Sequence, residues 1–292
     1  MMKKQWIACN SCGADVYRPL STVGEWTIGK CGDCGLVFLN PAPFFEPTTE
    51  FSAMSKGFQY TQYMHQMITP KIFAFETDQL RFQMGQLTEL TGRSFQAIRY
   101  LEVGCGSGAS VRAATDLGWV ATGVDLDPEL IREGIEQHGS DLRCSPLLKA
   151  GLDPGSFDFI RLRDVIEHLP DPYESMLEVH RLLRPGGLCL IVAPNEGGLV
   201  NRVRYSLGFK RNMVAYAEPP HHIHGFDPST LKLILERTGF KVLRLKTTVP
   251  FDSNFVTSNN MRTANQLLLV SIWKSAQLMG MGNFLVAWIL KQ

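Results

Sequence analysis

Two pairs of cysteines near the N-terminus have the spacing of a metal site. The pairs are Cys9 with Cys12 and Cys31 with Cys34, each within a CxxCG motif, and 18 residues lie between them. Four thiolates at this spacing are typical of structural zinc sites, in which the ligands complete a tetrahedron and leave no open position. A segment this short buries too little apolar surface to fold alone, so residues 1–43 are predicted to form a zinc-ribbon-like head.

A dense titratable cluster, with the sequence EPPHHIH, occupies residues 218–224. We expect one of its adjacent histidines to act as a general base and its glutamate to orient the imidazole. The histidines could instead hold a zinc ion with an open fourth position, or make a structural hydrogen bond. Outside the cluster, one further histidine and one tyrosine could contact a substrate. The candidate catalytic residues are His222, His221, Glu218, His168 and Tyr63.

A glycine-rich turn marks a candidate nucleotide site. The sequence LEVGCGSG at 101–108 lies between an apolar strand and a helix, and Asp125 ends the next predicted strand. The turn lets the backbone approach a ligand, and the carboxylate can hold both hydroxyls of a ribose. NAD fits these features too, but the glycine spacing is GxGxG rather than GxGxxG. Glu102, just before the turn, can accept hydrogen bonds from a cationic or amino-bearing ligand.

The elements that would position these residues alternate between strands and helices, the pattern of an α/β fold with a parallel sheet. Strands are predicted at 98–103, 120–125, 141–145, 157–163, 187–193, 240–248 and 266–273, and helices at 108–117, 127–138, 171–183 and 229–238. Two helices begin at Asp-Pro pairs, in which the aspartate caps the helix and the proline occupies its first turn. Ligands are expected beyond the carboxyl ends of the strands.

Three segments fall outside this alternation. Residues 44–97 are predicted to form a helical collar or lid, and residues 194–228 an insertion that faces the substrate. The apolar tail at 274–292 is predicted to be a helix that packs within the protein or in a homodimer, or that contacts a membrane surface through 275–290. Polar residues interrupt this tail, which is too short to span a bilayer.

Composition and charge exclude several classes of protein. Of the 292 residues, 45% are hydrophobic and 20% are charged, which argues against a disordered chain and against a multi-span membrane protein. The net charge of +1 provides no field that would attract a polyanion, so a nucleic-acid partner is not expected. No apolar stretch follows the N-terminal lysines, so no signal peptide is predicted and a cytoplasmic location is expected.

The motifs, taken in order, resemble those of the class I S-adenosylmethionine-dependent methyltransferases. They are LEVGCGSG, GVDLDP, SFDFIRLRDVIEHLPDP, LEVHRLLRPGGLCLIVAPN and HHIHGFDPSTLKLILERTGF, and they cover about residues 98–273. The resemblance implies a Rossmann-like sheet of seven strands, mostly parallel with the last antiparallel, and S-adenosylmethionine as cofactor. Methyl transfer from a sulfonium requires no metal, which disfavours a zinc ion at the histidines. The residues predicted to bind the cofactor are Glu102, Gly104, Cys105, Gly106, Gly108, Asp125, Leu126, Ser145, Arg163 and Asp164.

A cysteine head in front of this domain makes the chain similar to bacterial sugar C-methyltransferases, in which a zinc head and a helical collar close over a sugar. The resemblance implies methylation, at oxygen or carbon, of a small-molecule substrate such as a sugar or a cell-surface or secondary-metabolite precursor. The alternatives are an RNA methyltransferase that binds RNA through its head, and a non-catalytic scaffold that binds S-adenosylmethionine. A tail that contacts a membrane surface would favour a lipid-linked glycan or a quinone as the substrate.

Overall fold

Strands and helices alternate along the chain from Arg99 onward, in a computed structural model that describes residues 3–44, 69–93, 97–207, 219–248 and 275–292. The strands are β1 (Lys3–Gln5), β2 (Tyr17–Val23), β3 (Trp26–Cys31), β4 (Val37–Leu39), β5 (Ala42–Phe44), β6 (Arg99–Val103), β7 (Val120–Asp125), β8 (Asp141–Cys144), β9 (Phe157–Arg163), β10 (Leu183–Pro194), β11 (His224–Gly225), β12 (Phe240–Thr248) and β13 (Phe284–Lys291). The helices are α1 (Pro70–Thr91), α2 (Ala109–Asp116), α3 (Pro128–His138), α4 (Pro172–Leu182), α5 (Leu199–Ser206) and α6 (Pro228–Arg237).

Three of the helices begin at an Asp-Pro pair. The carboxylate of Asp127 accepts hydrogen bonds from the backbone N–H groups of Glu129 and Leu130, at 2.9 and 3.2 Å, and so caps α3. Asp171 and Asp227 cap α4 and α6 in the same way. Each cap satisfies donors that have no partner within the first helical turn. The two helix starts predicted from Asp-Pro pairs are confirmed.

Seven strands form the central sheet, in the order β12-β13-β10-β9-β6-β7-β8. Strands β6 to β10 are parallel, whereas β13 runs antiparallel between β10 and β12. The strand order reverses between β6 and β9, because the chain first builds one side of the sheet and then the other. The prediction of a Rossmann-like, mostly parallel sheet of seven strands with the last strand antiparallel is confirmed.

The C-terminal segment contains a strand, so the helix predicted for 274–292 is wrong. Strand β13 pairs with a neighbour on each side, and Leu285, Ala287 and Trp288 are buried in the cores on the two faces of the sheet. A strand covered on both faces is a continuous apolar run, and so is a buried helix. Sequence periodicity alone could not distinguish the two.

This strand changes what is expected of the segment. It buries most of its apolar side chains within the sheet, so residues 284–291 cannot belong to the helix predicted at 275–290. A membrane-surface contact or a homodimer contact through residues 275–283 stays a prediction. The sheet domain also extends beyond residue 273, its predicted end, while the strand predicted at 266–273 lies outside the described residues. Within the described ranges, no helix is both long enough and apolar enough to cross a membrane.

The zinc-ribbon-like head shares its apolar core with the sheet domain. Its main sheet has the order β11-β4-β3-β2, and β11 is supplied by the insertion predicted at 194–228. Leu36 and Phe38 of the head are buried in one cluster with Phe226 and with Leu231 of α6. On the opposite face of the sheet, α1, α2 and α3 enclose a second apolar cluster. The head is therefore packed directly against the domain that carries the glycine-rich turn.

A buried ionic network joins α1 to the sheet. Arg161, in the middle of β9, is fully buried, and its Nε donates to Oε2 of Glu102 at 2.7 Å. Its Nη2 donates to Oε2 of Glu76 in α1 at 2.9 Å, and Arg163 donates to Oε1 of the same carboxylate at 2.6 Å. Breaking one member of such a network leaves an uncompensated buried charge. Glu76 thus fixes where α1 crosses the sheet.

The network predicts how stability depends on pH. Burial alone would raise the pKa of Glu76, but the charges of Arg161 and Arg163 lower it from 4.5 to about 2. A carboxyl with a depressed folded pKa stabilises the protein above its unfolded pKa, and this contribution is lost as the pH falls through the folded value. We expect Glu76→Gln to reduce the free energy of unfolding by roughly 3 kcal/mol at pH 7. The difference from wild type should shrink between about pH 4.5 and about pH 2, measured by urea denaturation.

Glu89→Gln is the matched control, because Glu89 lies on the same helix and pairs with Arg244 at 2.6 Å in an exposed position. An exposed ion pair contributes at most about 1 kcal/mol. If the two substitutions cost the same, the buried network does not hold α1 on the sheet.

Candidate active site

The glycine-rich turn between β6 and α2 lies where the strand order reverses. Gly104 and Gly106 adopt left-handed conformations, with φ of 70° and 54°, which glycine tolerates without strain. A Cβ at Gly104 would also overlap the side chain of Val165. The N–H of Gly104 donates to the carbonyl oxygen of Val124 at 2.8 Å, so β7 anchors the turn. The position is the one at which open α/β sheets bind nucleotides.

Asp125, at the end of β7, is held by the turn it faces. Its Oδ2 accepts a hydrogen bond from the N–H of Gly106 at 2.8 Å, and its Oδ1 accepts one from the N–H of Asp127 at 2.9 Å. Each carboxylate oxygen keeps a second lone pair, so the oriented carboxylate can still accept two hydroxyl groups. Burial raises the pKa of Asp125, although these backbone donors favour the charged form. The structure thus brings Asp125 and the turn together, and ribose binding stays a prediction.

The other predicted cofactor residues fall into two groups. Cys105, Gly108, Leu126 and Ser145 line the same edge, and the N–H of Ser145 donates to the carbonyl oxygen of Asp125 at 2.9 Å. Glu102 and Arg163, in contrast, are engaged in the buried network. Oε2 of Glu102 is taken by Arg161 and Tyr100, and Arg163 is paired with Glu76. Any contact of these two residues with a ligand stays a prediction.

Asp164 follows β9 with a left-handed backbone. Its φ is 54°, and it is the sole non-glycine residue in the described part of the chain with a positive φ. The N–H of Asp164 donates to the carbonyl oxygen of Val192 at 2.9 Å, which holds the residue in this conformation, and its side chain is exposed at the edge of the sheet. Strain of this kind is concentrated at functional sites.

A histidine-carboxylate cluster lies at the same edge. It consists of Glu167 and His168, in the short turn after β9, together with His222, and we call these three residues the EHH cluster. Their ligand atoms all lie within 4.8 Å of one another. The rings of His168 and His222 meet edge to face, with their centroids 4.4 Å apart. Nδ1 of His168 lies 2.7 Å from the carbonyl oxygen of His221, so Nδ1 carries the proton and Nε2 is left as an acceptor.

Burial dominates the electrostatics of the EHH cluster. It lowers the pKa of His168 to about 4 and that of His222 to about 2, so both imidazoles are neutral at neutral pH. Burial, reinforced by the charge of Asp164, raises the pKa of Glu167 well above its ordinary value. A base with so low a pKa as His222 accepts a proton weakly. The general-base role predicted for His221 or His222 stays a prediction, and Glu218 and Tyr63 lie outside the described residues.

The zinc-ribbon-like head holds the loop that carries the histidines. The N–H of Ile223 donates to the carbonyl oxygen of Glu167, and the N–H of Leu39 in β4 donates to the carbonyl oxygen of Ile223, both at 2.9 Å. His224 is fully buried, and its Nε2 lies 3.2 Å from the side-chain nitrogen of Asn10 in the first cysteine knuckle. His224 is therefore a structural contact between head and domain.

The four head cysteines converge on one point. The Sγ atoms of Cys9 and Cys34 are 3.4 Å apart, those of Cys12 and Cys31 are 3.5 Å apart, and all four lie within 4.8 Å of one another. Zinc-sulfur bonds of about 2.3 Å place tetrahedral ligands about 3.8 Å apart. The geometry therefore fits the predicted structural zinc ion.

Two residues of the site region, Arg161 and Glu167, were not predicted from the sequence. Arg161 stands in the apolar run FDFIRLR, and a charge within a buried strand indicates a buried partner, which proves to be Glu76. Glu167 precedes a candidate histidine in the sequence, but its burial and its closeness to His222 depend on a contact between segments more than 50 residues apart.

These elements define a Rossmann-like α/β domain with a glycine-rich turn and an oriented carboxylate, Asp125, where the strand order reverses. The chain belongs to the methyltransferase domain family, whose model matches residues 76–245. The match begins at Glu76, within the helix α1 that the buried network joins to the sheet, and ends within β12.

The chain is also similar to two curated relatives and to one solved structure. A ubiquinone biosynthesis O-methyltransferase of Caulobacter sp. (strain K31) is 31% identical over 110 residues, 35% of this chain and 43% of that protein. A protein of Mycolicibacterium smegmatis named "probable S-adenosylmethionine-dependent methyltransferase" is 30% identical over 143 residues, 49% of this chain and 51% of that protein. The chain thus spans about half the length of these relatives.

The solved structure is a SAM-dependent methyltransferase of Thermotoga maritima, described as a possible histamine N-methyltransferase. It superposes with a TM-score of 0.52 at 16% identity, covering 83% of this chain and 98% of that chain. At this identity the likeness shows a shared fold.

The packing of α3 against the glycine-rich turn generates one prediction. A Cβ at Gly134 would overlap the carbonyl oxygen of Ser107, whereas nothing lies within 4 Å of a Cβ at Gly85 in α1. We expect Gly134→Ala to lower the free energy of unfolding by roughly 1–3 kcal/mol. Gly85→Ala, the control, should raise it by about 0.5–1 kcal/mol, because alanine favours a helix. Stabilisation by both substitutions in urea denaturation would show that the turn does not pack against α3.

The contacts of the head generate a second prediction. Removing a zinc ligand with Cys12→Ser should release the hydrogen bonds that reach Ile223 and His224. We expect hydrogen exchange to accelerate in residues 3–44 and 219–226 and to stay unchanged in β7 and β8, with one zinc ion lost per chain. Unchanged exchange at 219–226 despite the loss of zinc would contradict the positioning role of the head.

Proposed function

We propose that this protein transfers a methyl group from S-adenosylmethionine to an oxygen atom of a small polar acceptor. The observation that carries the proposal is the pairing of Asp125 with the glycine-rich turn in a member of the methyltransferase domain family. Backbone donors orient both oxygens of the carboxylate, and the turn leaves Gly104 exposed at the cleft. This arrangement fits the ribose and the adjoining part of an adenosyl group.

When bound, S-adenosylmethionine supplies a methyl group on a sulfonium sulfur. The acceptor oxygen would attack the methyl carbon in line with the carbon–sulfur bond, which breaks to release S-adenosylhomocysteine, while the acceptor loses its proton. The residues of this chain would contribute mainly by positioning, because holding two reactants in contact provides much of the rate of such a displacement. The turn and Asp125 would hold the donor, and the edge formed by Asp164 and the EHH cluster would face the acceptor.

Two observations support a small oxygen acceptor. The relative from Caulobacter is named as an O-methyltransferase. The side chains grouped at the sheet edge beside the cleft are carboxylates and imidazoles, which can bind or deprotonate a hydroxyl group. A sugar or a cell-surface or secondary-metabolite precursor is the class of acceptor to test, alongside phenolic and quinol compounds.

The alternative of RNA as substrate receives no support from the head. Lys4, one of its few basic residues, is paired with Glu25 at 2.8 Å and lies over the ring of Trp26. Apolar side chains of the head are buried against the sheet domain rather than presented to a partner. A non-catalytic scaffold would bind S-adenosylmethionine in the same way but would not transfer its methyl group, so only a measurement of turnover distinguishes the two functions.

Isothermal titration of the zinc-loaded protein tests the proposal. We expect S-adenosylmethionine and S-adenosylhomocysteine to bind and NAD not to bind. Asp125→Ala should weaken binding by roughly 100-fold, the loss of about 3 kcal/mol expected when two charge-assisted hydrogen bonds disappear. Asp153→Asn is the matched control, since Asp153 is an exposed aspartate before β9, at the opposite edge of the sheet.

Release of S-adenosylhomocysteine in the presence of an acceptor panel then measures turnover. Binding with turnover supports the enzyme, and binding without turnover on any acceptor favours the scaffold. If neither sulfur ligand binds to the folded protein, the proposed function is wrong.

A further inference from the structure

We infer that the EHH cluster, Glu167, His168 and His222, is a binding site for a second divalent metal ion, distinct from the four-cysteine site of the head. The three side chains supply one carboxylate and two imidazoles whose ligand atoms lie within 4.8 Å of one another. The inference rests on the proposed function and adds to it a group, a metal ion, that would bind the acceptor in the cleft.

Burying the polar groups of the EHH cluster without partners would be costly. Glu167 is 2% exposed, and neither of its carboxylate oxygens has a hydrogen-bond partner among the described residues. His222 is 8% exposed, and its Nδ1 likewise lacks one within the described ranges. Buried polar groups are almost always hydrogen-bonded or bound to a metal. Two such groups, directed into one small space, fit ligands of a cation.

The orientation of His168 also fits that of a metal ligand. Because its Nδ1 donates to the carbonyl oxygen of His221, its Nε2 carries a free lone pair directed away from that bond. A backbone carbonyl that fixes the tautomer of a histidine is the usual outer partner of a metal ligand. Nε2 of His168 lies 3.9 Å from Oε1 of Glu167, too far for a hydrogen bond. Ligand bonds of about 2.1 Å permit separations of up to about 4.2 Å across one ion.

The ligand types in the EHH cluster also match a divalent metal ion. Two imidazoles and one carboxylate bind Zn²⁺ and other divalent ions of the first transition row, and three protein ligands leave positions open. The head differs, since four thiolates complete the tetrahedron. The open positions of the EHH cluster would lie beside Asp164, at the edge that faces the cleft.

An ion at this site would select the acceptor. It would coordinate an acceptor oxygen and lower the pKa of its hydroxyl, which then loses its proton to solvent before it attacks the methyl carbon. No oxidation or reduction is involved. Three protein ligands leave one open position on a four-coordinate ion and two on a five-coordinate ion. In the five-coordinate case the ion would favour an acceptor with two neighbouring oxygen atoms, such as a vicinal diol or an ortho-dihydroxy aromatic compound. The buried imidazoles would then act as ligands, not as general bases.

The test counts metal ions on the full-length protein. The protein is incubated with Zn²⁺, freed of excess by gel filtration and analysed by inductively coupled plasma mass spectrometry. We expect two zinc ions per chain in the wild type and one in Glu167→Gln and in His222→Ala. The Zn²⁺ Kd of the second site should rise by roughly tenfold or more in each variant. His221→Ala, which keeps the backbone carbonyl, is the matched control and should retain two.

A cobalt-substituted sample separates the two sites. Thiolate-to-cobalt charge transfer reports the head, so this band should persist in both variants and show that they are folded. A wild-type protein with an intact head that holds one ion per chain would overturn the inference. So would variants that keep the second ion.

S-adenosylmethionine binding, measured on the same samples, distinguishes this failure from that of the proposed function. Binding of the sulfur ligand with one zinc ion per chain would overturn the metal site alone. Two zinc ions without binding of the sulfur ligand would overturn the methyltransferase alone.

Discussion

The candidate site depends on two backbone hydrogen bonds at Ile223. The N–H of this residue is bound to the turn that carries Glu167 and His168, and its carbonyl oxygen is bound to Leu39 of the head. His222 is therefore fixed by a strand of the head on one side and by the carboxyl edge of the sheet on the other. The sequence of this loop, with two prolines and three histidines, would not by itself bury imidazoles beside a carboxylate. The four-cysteine site lies outside the cleft, but it stabilises the head and thereby the position of this loop.

The sheet supplies the second constraint. Parallel strands deliver their carboxyl ends to one edge, and the reversal of strand order between β6 and β9 opens a crevice there. Asp125 from β7, the glycine-rich turn from β6 and Asp164 from β9 are consequently neighbours, although they are distant in sequence. The buried network at Arg161 fixes α1 across the same strands. One edge thus carries both the proposed donor site and the proposed acceptor site.

The fold was largely predictable, because local signals and the global pattern agree. Apolar runs predicted β6, β7 and β9, the Asp-Pro pairs predicted the starts of α3 and α4, and the paired cysteines predicted the zinc-ribbon-like head. The tail was predicted wrongly because an apolar run such as FLVAWILK does not reveal whether it is a buried helix or a central strand. The run forms a strand because it pairs with β10 and β12, and this pairing depends on the whole sheet rather than on the local sequence.

The candidate site was predictable in part, for a similar reason. Asp125 and the glycines follow from strand ends and turn chemistry, which are local. The neutral state of His168 and His222, the burial of Glu167 and the contact of His224 with Asn10 depend on packing between segments that are far apart in the chain. Glu102 shows the limit most clearly. Its place before the glycine-rich turn predicted a ligand contact, but one of its oxygens is bound to Arg161 in the core.

We propose that the donor and acceptor sites share one edge of the sheet, with the zinc-ribbon-like head holding the acceptor side. A crystal structure of the full-length protein with S-adenosylhomocysteine, grown in the presence of Zn²⁺, tests this claim most directly. We expect the ribose hydroxyls to lie within hydrogen-bond distance of Asp125 and the sulfur atom to face the side of the cleft that carries Asp164 and His222. A ligand bound away from Asp125, or one whose sulfur atom faces away from the EHH cluster, would contradict it.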